Sequence, residues 1–134
     1  MQTVNGIKFA IACALCLFMQ ACTSETKITG DYYLFSLDNI NREMELTYKL
    51  GNGDHLGIVP MTVTAVGFNS KYIIAKQHSP DSNSLKYYIV PISRTKTHWP
   101  ELGIIGPLSA GDFNRVRKTL NIDSVKFTIF VDVD

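Results

Sequence analysis

This sequence of 134 residues has no cysteine after residue 22, no basic patch and no hydrophobic run long enough to span a membrane. Its three cysteines lie within the first 22 residues, so the rest of the chain cannot form an internal disulfide and its fold must be held by its core. The 13 basic and 12 acidic side chains nearly cancel. A chain without a basic patch lacks the electrostatic footprint of a nucleic-acid-binding protein, so we expect no nucleic-acid partner.

Sequence motifs of catalysis are also missing. His55, His78 and His98 are far apart, without helical i, i+4 spacing, and we place each of them in a turn or loop. No GxSxG motif is present. Asp54 beside His55 is the only adjacent acid and imidazole, and we interpret the pair as a solvated hairpin turn rather than a metal or general-base site. We therefore expect no catalytic residue, no metal and no other cofactor.

Paired glutamates occur in a segment that alternates apolar and polar residues, as expected for a strand with one solvated face. The apolar face carries Met44, Leu46, Tyr48 and Leu50, and the polar face carries Glu43, Glu45, Thr47 and Lys49. Positions two apart in a strand are separated by about 7 Å, a spacing that would suit the two acids of a glycosidase. We interpret Glu43 and Glu45 instead as part of a solvated face without a deep cleft.

The longest uncharged apolar run, Phe9 to Met19, is too short for a membrane-spanning helix, which needs roughly 20 residues, but it fits the hydrophobic region of a secretory signal. It leads into Met19-Gln20-Ala21-Cys22, which resembles the lipobox of bacterial lipoproteins. The resemblance implies that residues 1–21 are a signal peptide, which would also remove Cys13 and Cys16, and that Cys22 becomes lipidated. Because Thr23 stands where an inner-membrane retention signal has Asp, it implies the periplasmic face of the outer membrane rather than the inner membrane.

We divide the mature chain into two parts. Residues 22–30 comprise Cys22, which the lipobox resemblance implies is lipidated, and a polar, aperiodic stretch that predicts a flexible tether. Residues 31–134 are predicted to form a single globular domain, with three strands between residues 57 and 92 joined as an antiparallel meander. Ser109 has the position of a helix N-cap, and Phe113, Val116 and Leu120 share a helix face.

The predicted fold class is α+β. We expect an antiparallel β-meander sheet of about five or six strands, with one helix from the C-terminal region packed on it and a final strand near residues 125–131.

The irregular segment between residues 95 and 108 contains the only tryptophan. Trp99, with its neighbours His98 and Pro100, forms a candidate protein interface, because aromatic residues dominate binding hot spots. The alternative is that Trp99 folds back onto the sheet and fills a small core.

Four short blocks of the sequence resemble one known family. They are GDYY at residues 30–33, VGFNSKYIIAKQ at 66–77, KYYIV at 86–90 and GPLSAGDF at 106–113. Their order is similar to that of small bacterial lipoproteins grouped as domain-of-unknown-function family number 3997. The resemblance covers most of residues 30–122. It implies a small β-rich lipoprotein with a late helix, and it assigns no catalytic residue.

These patterns predict a lipid-anchored, extracytoplasmic binding module without enzymatic activity. Its expected partners are the membrane, through Cys22, and a protein. A periplasmic inhibitor or immunity protein that acts against an exported toxin or hydrolase is a narrower alternative. A minor cell-envelope enzyme with an unrecognised site is a second alternative, and exposure at the cell surface stays open.

Overall fold

The computed structural model describes residues 24–37, 43–95 and 99–131. The signal-peptide prediction and Cys22 lie outside these residues. Within them the chain forms two antiparallel sheets and one helix, which confirms the predicted α+β class. The predicted single meander is wrong in one respect, because the described strands number nine and belong to two separate sheets.

The first sheet has four strands in sequence order. They are β1 (Ser24–Thr29), β2 (Tyr32–Ser36), β3 (Glu45–Lys49) and β4 (His55–Val59). The flexible tether expected over residues 22–30 is replaced from Ser24 onward by β1, which pairs antiparallel with β2. Periodicity does not reveal this edge strand because Ile28 is its only buried residue.

The chain leaves the first sheet at Pro60. Because proline has no N–H to donate to a strand ladder, β4 ends before it, and the next strand begins at Val63 in the other sheet. The Gln77 side chain is buried and donates hydrogen bonds from Nε2 to the carbonyl oxygens of Pro60 and Met61, at 3.1 and 3.2 Å. These two hydrogen bonds hold the segment in which the chain passes from the first sheet to the second.

The second sheet has five strands in the order β8-β7-β6-β5-β9. They are β5 (Val63–Phe68), β6 (Tyr72–Ser79), β7 (Ser84–Pro91), β8 (Ile105–Leu108) and β9 (Ile129–Phe130). Strands β5, β6 and β7 form the predicted antiparallel meander. The final strand is much shorter than expected.

The helix α1 (Ala110–Thr119) begins where the capping pattern predicts. The Ser109 hydroxyl accepts a hydrogen bond from the backbone N–H of Asp112 at 3.2 Å, which satisfies one of the free donors of the first turn. Phe113 is the buried residue of the helix, and the partly buried Val116 and Leu120 pack against the same cluster.

The elements stack in three layers. The first two are the sheets, whose facing side chains form one core that includes Tyr32, Leu34 and Leu46 from the first sheet and Val63, Ile73 and Val90 from the second. The opposite face of the second sheet packs through Ile74 and Ile89 against Phe113 of α1. In the described part of the chain, the helix thus covers the second sheet and leaves the outer face of the first sheet without a covering element.

Among the described residues, no helix is both long and apolar enough to cross a membrane.

Candidate functional site

A groove of about 840 Å³ lies on the outer face of the first sheet. This volume is within the range of roughly 300 to 1,000 Å³ that is usual for ligand pockets. Its lining combines four carboxylates with apolar side chains and a polar floor. The lining residues are Glu25, Phe35, Leu37, Glu43, Glu45, Thr47, Gly53, Asp54, His55 and Met61.

His55 is the central side chain of the groove floor, and both of its ring nitrogens are hydrogen-bonded. Nε2 lies 2.7 Å from Oε2 of Glu25, and Nδ1 lies 2.7 Å from the hydroxyl of Thr47. Because a carboxylate only accepts, the bond to Glu25 requires a proton on Nε2. The side chain of His55 is 9% exposed and that of Glu25 is 34% exposed, so the imidazole is largely shielded from water whereas the carboxylate lies at the surface.

The His55 ring is also enclosed by two aromatic rings of β2. Phe35 stacks on it with ring centroids 4.0 Å apart and an interplanar angle of 16°. Tyr33 meets it edge to face, with centroids 5.7 Å apart. His55 is therefore not a residue of a solvated turn, as the sequence predicted, but the first residue of β4 and part of a packed cluster.

Glu25 of the edge strand β1 contacts two side chains that donate hydrogen bonds to it, Lys49 and His55. The Lys49 ammonium lies 3.1 and 3.3 Å from its two carboxylate oxygens. Hydrogen bonding from Lys49 is the main cause that holds the pKa of Glu25 below its usual range; burial opposes this shift and the bond from His55 reinforces it. Glu25 is therefore ionised at neutral pH.

Glu25, His55 and Thr47 form an acid, imidazole and hydroxyl chain that resembles the order of groups in a hydrolase triad. Thr47 is only 1% exposed, however, and its hydroxyl also lies 3.4 Å from the carbonyl oxygen of Tyr33. Although Thr47 lines the groove, its hydroxyl is buried and held by contacts within the sheet, so the three groups link strands β1, β3 and β4.

The carboxylates of Glu43, Glu45 and Asp54 also line the groove, and none of them forms an ion pair with another described residue. Glu43 and Glu45, which were expected on a solvated face without a deep cleft, are exposed and partly exposed and line this open groove. Gly57 leaves room for Glu45, since a Cβ at Gly57 would lie 3.2 Å from the Glu45 carboxylate. Asp54 accepts a hydrogen bond from the Asn52 side chain at 2.9 Å.

The residues predicted as an interface lie elsewhere. Trp99 is 65% exposed and so does not fill the core, whereas Pro100 is buried and His98 is outside the described residues. His78 lies within β6 rather than in a loop. Among the described residues, no cluster of histidine, cysteine or carboxylate side chains has the arrangement of a metal site.

Comparison with protein families gives a match to the model described as protein of unknown function (DUF3997), over residues 29–134. The chain belongs to the DUF3997 family. The matched region includes strands β2 to β9 and the helix. It therefore contains every residue that lines the groove except Glu25. Neither the curated proteins nor the solved structures contain a match to the chain.

Proposed function

We propose that this DUF3997 protein is a non-catalytic binding module, held in the cell envelope by lipidation of Cys22, and that the groove on the first sheet receives its partner. The observation that supports this proposal is the outer face of the first sheet, which no other described element covers and which combines a groove of about 840 Å³ with exposed apolar side chains at its edge. Leu37 is 77% exposed and Met61 is 38% exposed. Exposed apolar residues beside polar groups are typical of interaction sites.

A binding role agrees with the chemistry of the groove floor. Both nitrogens of His55 and the hydroxyl of Thr47 are engaged within the sheet, so they hold the surface in shape rather than offering a free base or nucleophile. Glu43, Glu45 and Asp54 form no ion pair with another described residue, and with the apolar edge they are available for contact with a partner.

The position of Cys22 gives the proposed anchor a direct connection to the site. Only Thr23 separates Cys22 from the first residue of β1, and two residues of extended chain span at most about 7 Å. Glu25, which lines the groove, lies three positions after Cys22. A lipid on Cys22 would therefore hold the groove near the membrane surface, on the outer membrane if the residue after the cysteine directs sorting.

Photo-cross-linking in the envelope of living cells tests the binding proposal. A photoreactive amino acid at Phe35, inside the groove, is expected to give a discrete cross-linked product, whereas the same residue at the exposed Asn114 of α1 is expected to give none. A product of equal yield from both positions, or from neither, would reject the groove as the binding site.

The anchor requires a separate measurement. Labelling with a fatty-acid analogue is expected in the wild-type protein and absent in Cys22→Ala, and a Cys22→Ala protein that still labels would reject the assignment. Co-expression with an exported toxin or hydrolase tests the narrower inhibitor role, since protection that depends on the groove would identify that toxin as the partner.

A further inference from the structure

Charge is distributed unevenly within the groove. Among the described residues, the basic side chains beside it are Lys49 and His55, and both are bound to Glu25. Lys49 also lies over the Tyr33 ring, with its nitrogen 5.2 Å from the ring centroid. These side chains therefore do not neutralise the other carboxylates of the groove, Glu43 and Glu45 among them.

The apolar part of the lining lies next to these carboxylates. Phe35 is partly exposed, and its ring stacks against His55, which fixes its orientation. Leu37 and Met61 are exposed at the edge. A partner that buried these three side chains would also exclude water from Glu43 and Glu45. Removing water from an unpaired carboxylate is costly, so an apolar or anionic partner would be disfavoured, whereas a cationic partner would offset the cost.

We propose that the partner docks into the groove through a segment that carries arginine or lysine side chains interspersed with apolar residues. Its cationic groups pair with Glu43, Glu45 and Asp54, and its apolar side chains cover Phe35, Leu37 and Met61. This inference rests on the proposed binding function and specifies the chemistry of its partner.

Two fluorescent peptides test whether the groove prefers a cationic segment. The probe is a hexapeptide of alternating leucine and arginine with a fluorescein label, and its counterpart has glutamate in place of arginine. In fluorescence anisotropy titrations of the full-length protein, the arginine peptide is expected to bind at least about tenfold more tightly than the glutamate peptide. Binding is expected to weaken as salt rises from about 50 to about 500 mM, because exposed ion pairs are screened.

Two double variants, which remove the same amount of charge, test whether the arginine peptide binds in the groove. Glu43→Gln with Glu45→Gln removes two negative charges from the groove, and is expected to weaken binding of the arginine peptide by about tenfold or more. Asp81→Asn with Asp123→Asn removes the same charge from exposed sites outside the groove, and is expected to change the affinity by less than about twofold.

Three outcomes would overturn the inference. They are equal binding of the two peptides, equal losses in the two double variants, and a protein that self-associates through the groove in sedimentation experiments. Failure of the peptide test together with a discrete cross-link from Phe35 would retain the binding function and reject its cationic partner. Failure of both experiments would reject the function as well.

Discussion

Replacement of His55 tests whether the acid, imidazole and hydroxyl chain stabilises the first sheet. His55→Phe keeps an aromatic ring against Phe35 but removes the hydrogen bonds to Glu25 and Thr47. Glu25 retains Lys49, and Thr47 retains the Tyr33 carbonyl, so no buried polar group is left without a partner. At about 1 kcal/mol for each lost bond, the expected decrease in the free energy of unfolding is about 1 to 2 kcal/mol.

His55→Ala removes the ring as well. A stacked aromatic pair contributes about 0.5 to 1.5 kcal/mol beyond the area that it buries, and the vacated space adds a packing cost. The total decrease is therefore expected to reach about 3 kcal/mol, with His55→Phe between wild type and His55→Ala.

Urea unfolding of the purified proteins measures these values. With a slope of about 1.5 kcal/mol/M, a loss of about 1.5 kcal/mol lowers the unfolding midpoint by about 1 M. His78→Ala is the matched control, because the partly buried His78 makes no side-chain hydrogen bond with another described residue. Equal effects of His55→Ala and His78→Ala, or a change below about 0.5 kcal/mol in His55→Phe, would refute a stabilising role for the chain.

Three further predictions concern stability and are measured by urea unfolding. Gly67→Ala is expected to cost about 3 kcal/mol or more, because the new Cβ would lie 2.0 Å from the backbone carbonyl oxygen of Lys126. Tyr32→Phe is expected to cost about 1 to 2 kcal/mol, because the buried Tyr32 hydroxyl accepts a hydrogen bond from the Ser93 amide at 3.0 Å. Since Lys49 holds the pKa of Glu25 below its usual range, the stabilisation from Glu25 is complete above the unfolded-state pKa of about 4.3 and disappears as the pH falls through the lower folded-state pKa.

Each of these predictions has its own control. Gly111→Ala adds a Cβ that meets no atom within 4 Å, so its unfolding free energy should stay the same or rise slightly, and an equal loss in both glycine variants would contradict the steric argument. Tyr33→Phe removes a hydroxyl that bonds to no described residue, and should be nearly neutral. For Glu25→Gln, the difference from wild type should shrink between about pH 6 and about pH 3; a difference independent of pH would exclude the ionised carboxylate as its source.

Local signals in the sequence are sufficient for much of the fold. The Ser109 cap marks the start of the helix, and the glycines of residues 51–53 mark the turn between β3 and β4, where Gly53 has a φ of +90°. Each signal depends on a few neighbouring residues, so each can be identified without knowledge of the partner strands. The edge strand β1 has no such signal, because Ile28 is its only buried residue and polar residues precede and follow it in the sequence.

The groove could not be predicted in this way, because its residues come from four strands whose register is set by pairing. Glu25 of β1 pairs with Phe35 of β2, and Phe35 pairs with Glu45 of β3. His55 pairs with Lys49, and an irregularity between β3 and β4 shifts the register next to Thr47. Alternation along β3 alone correctly places Glu45 and Thr47 on the outer face, but it cannot show that neighbouring strands bury Thr47 and enclose Glu45.

Among the described residues, the two sheets differ in whether another element packs on their outer face. The outer face of the second sheet is apolar because the helix packs on it through Ile74 and Ile89. The outer face of the first sheet has no such cover among the described residues, and a strand exposed to water needs only polar side chains for solubility. It carries instead a nearly buried imidazole, two aromatic rings packed against that imidazole, and exposed Leu37 and Met61. Solubility does not require apolar side chains at these positions, and the proposed binding of a partner in the groove would bury them.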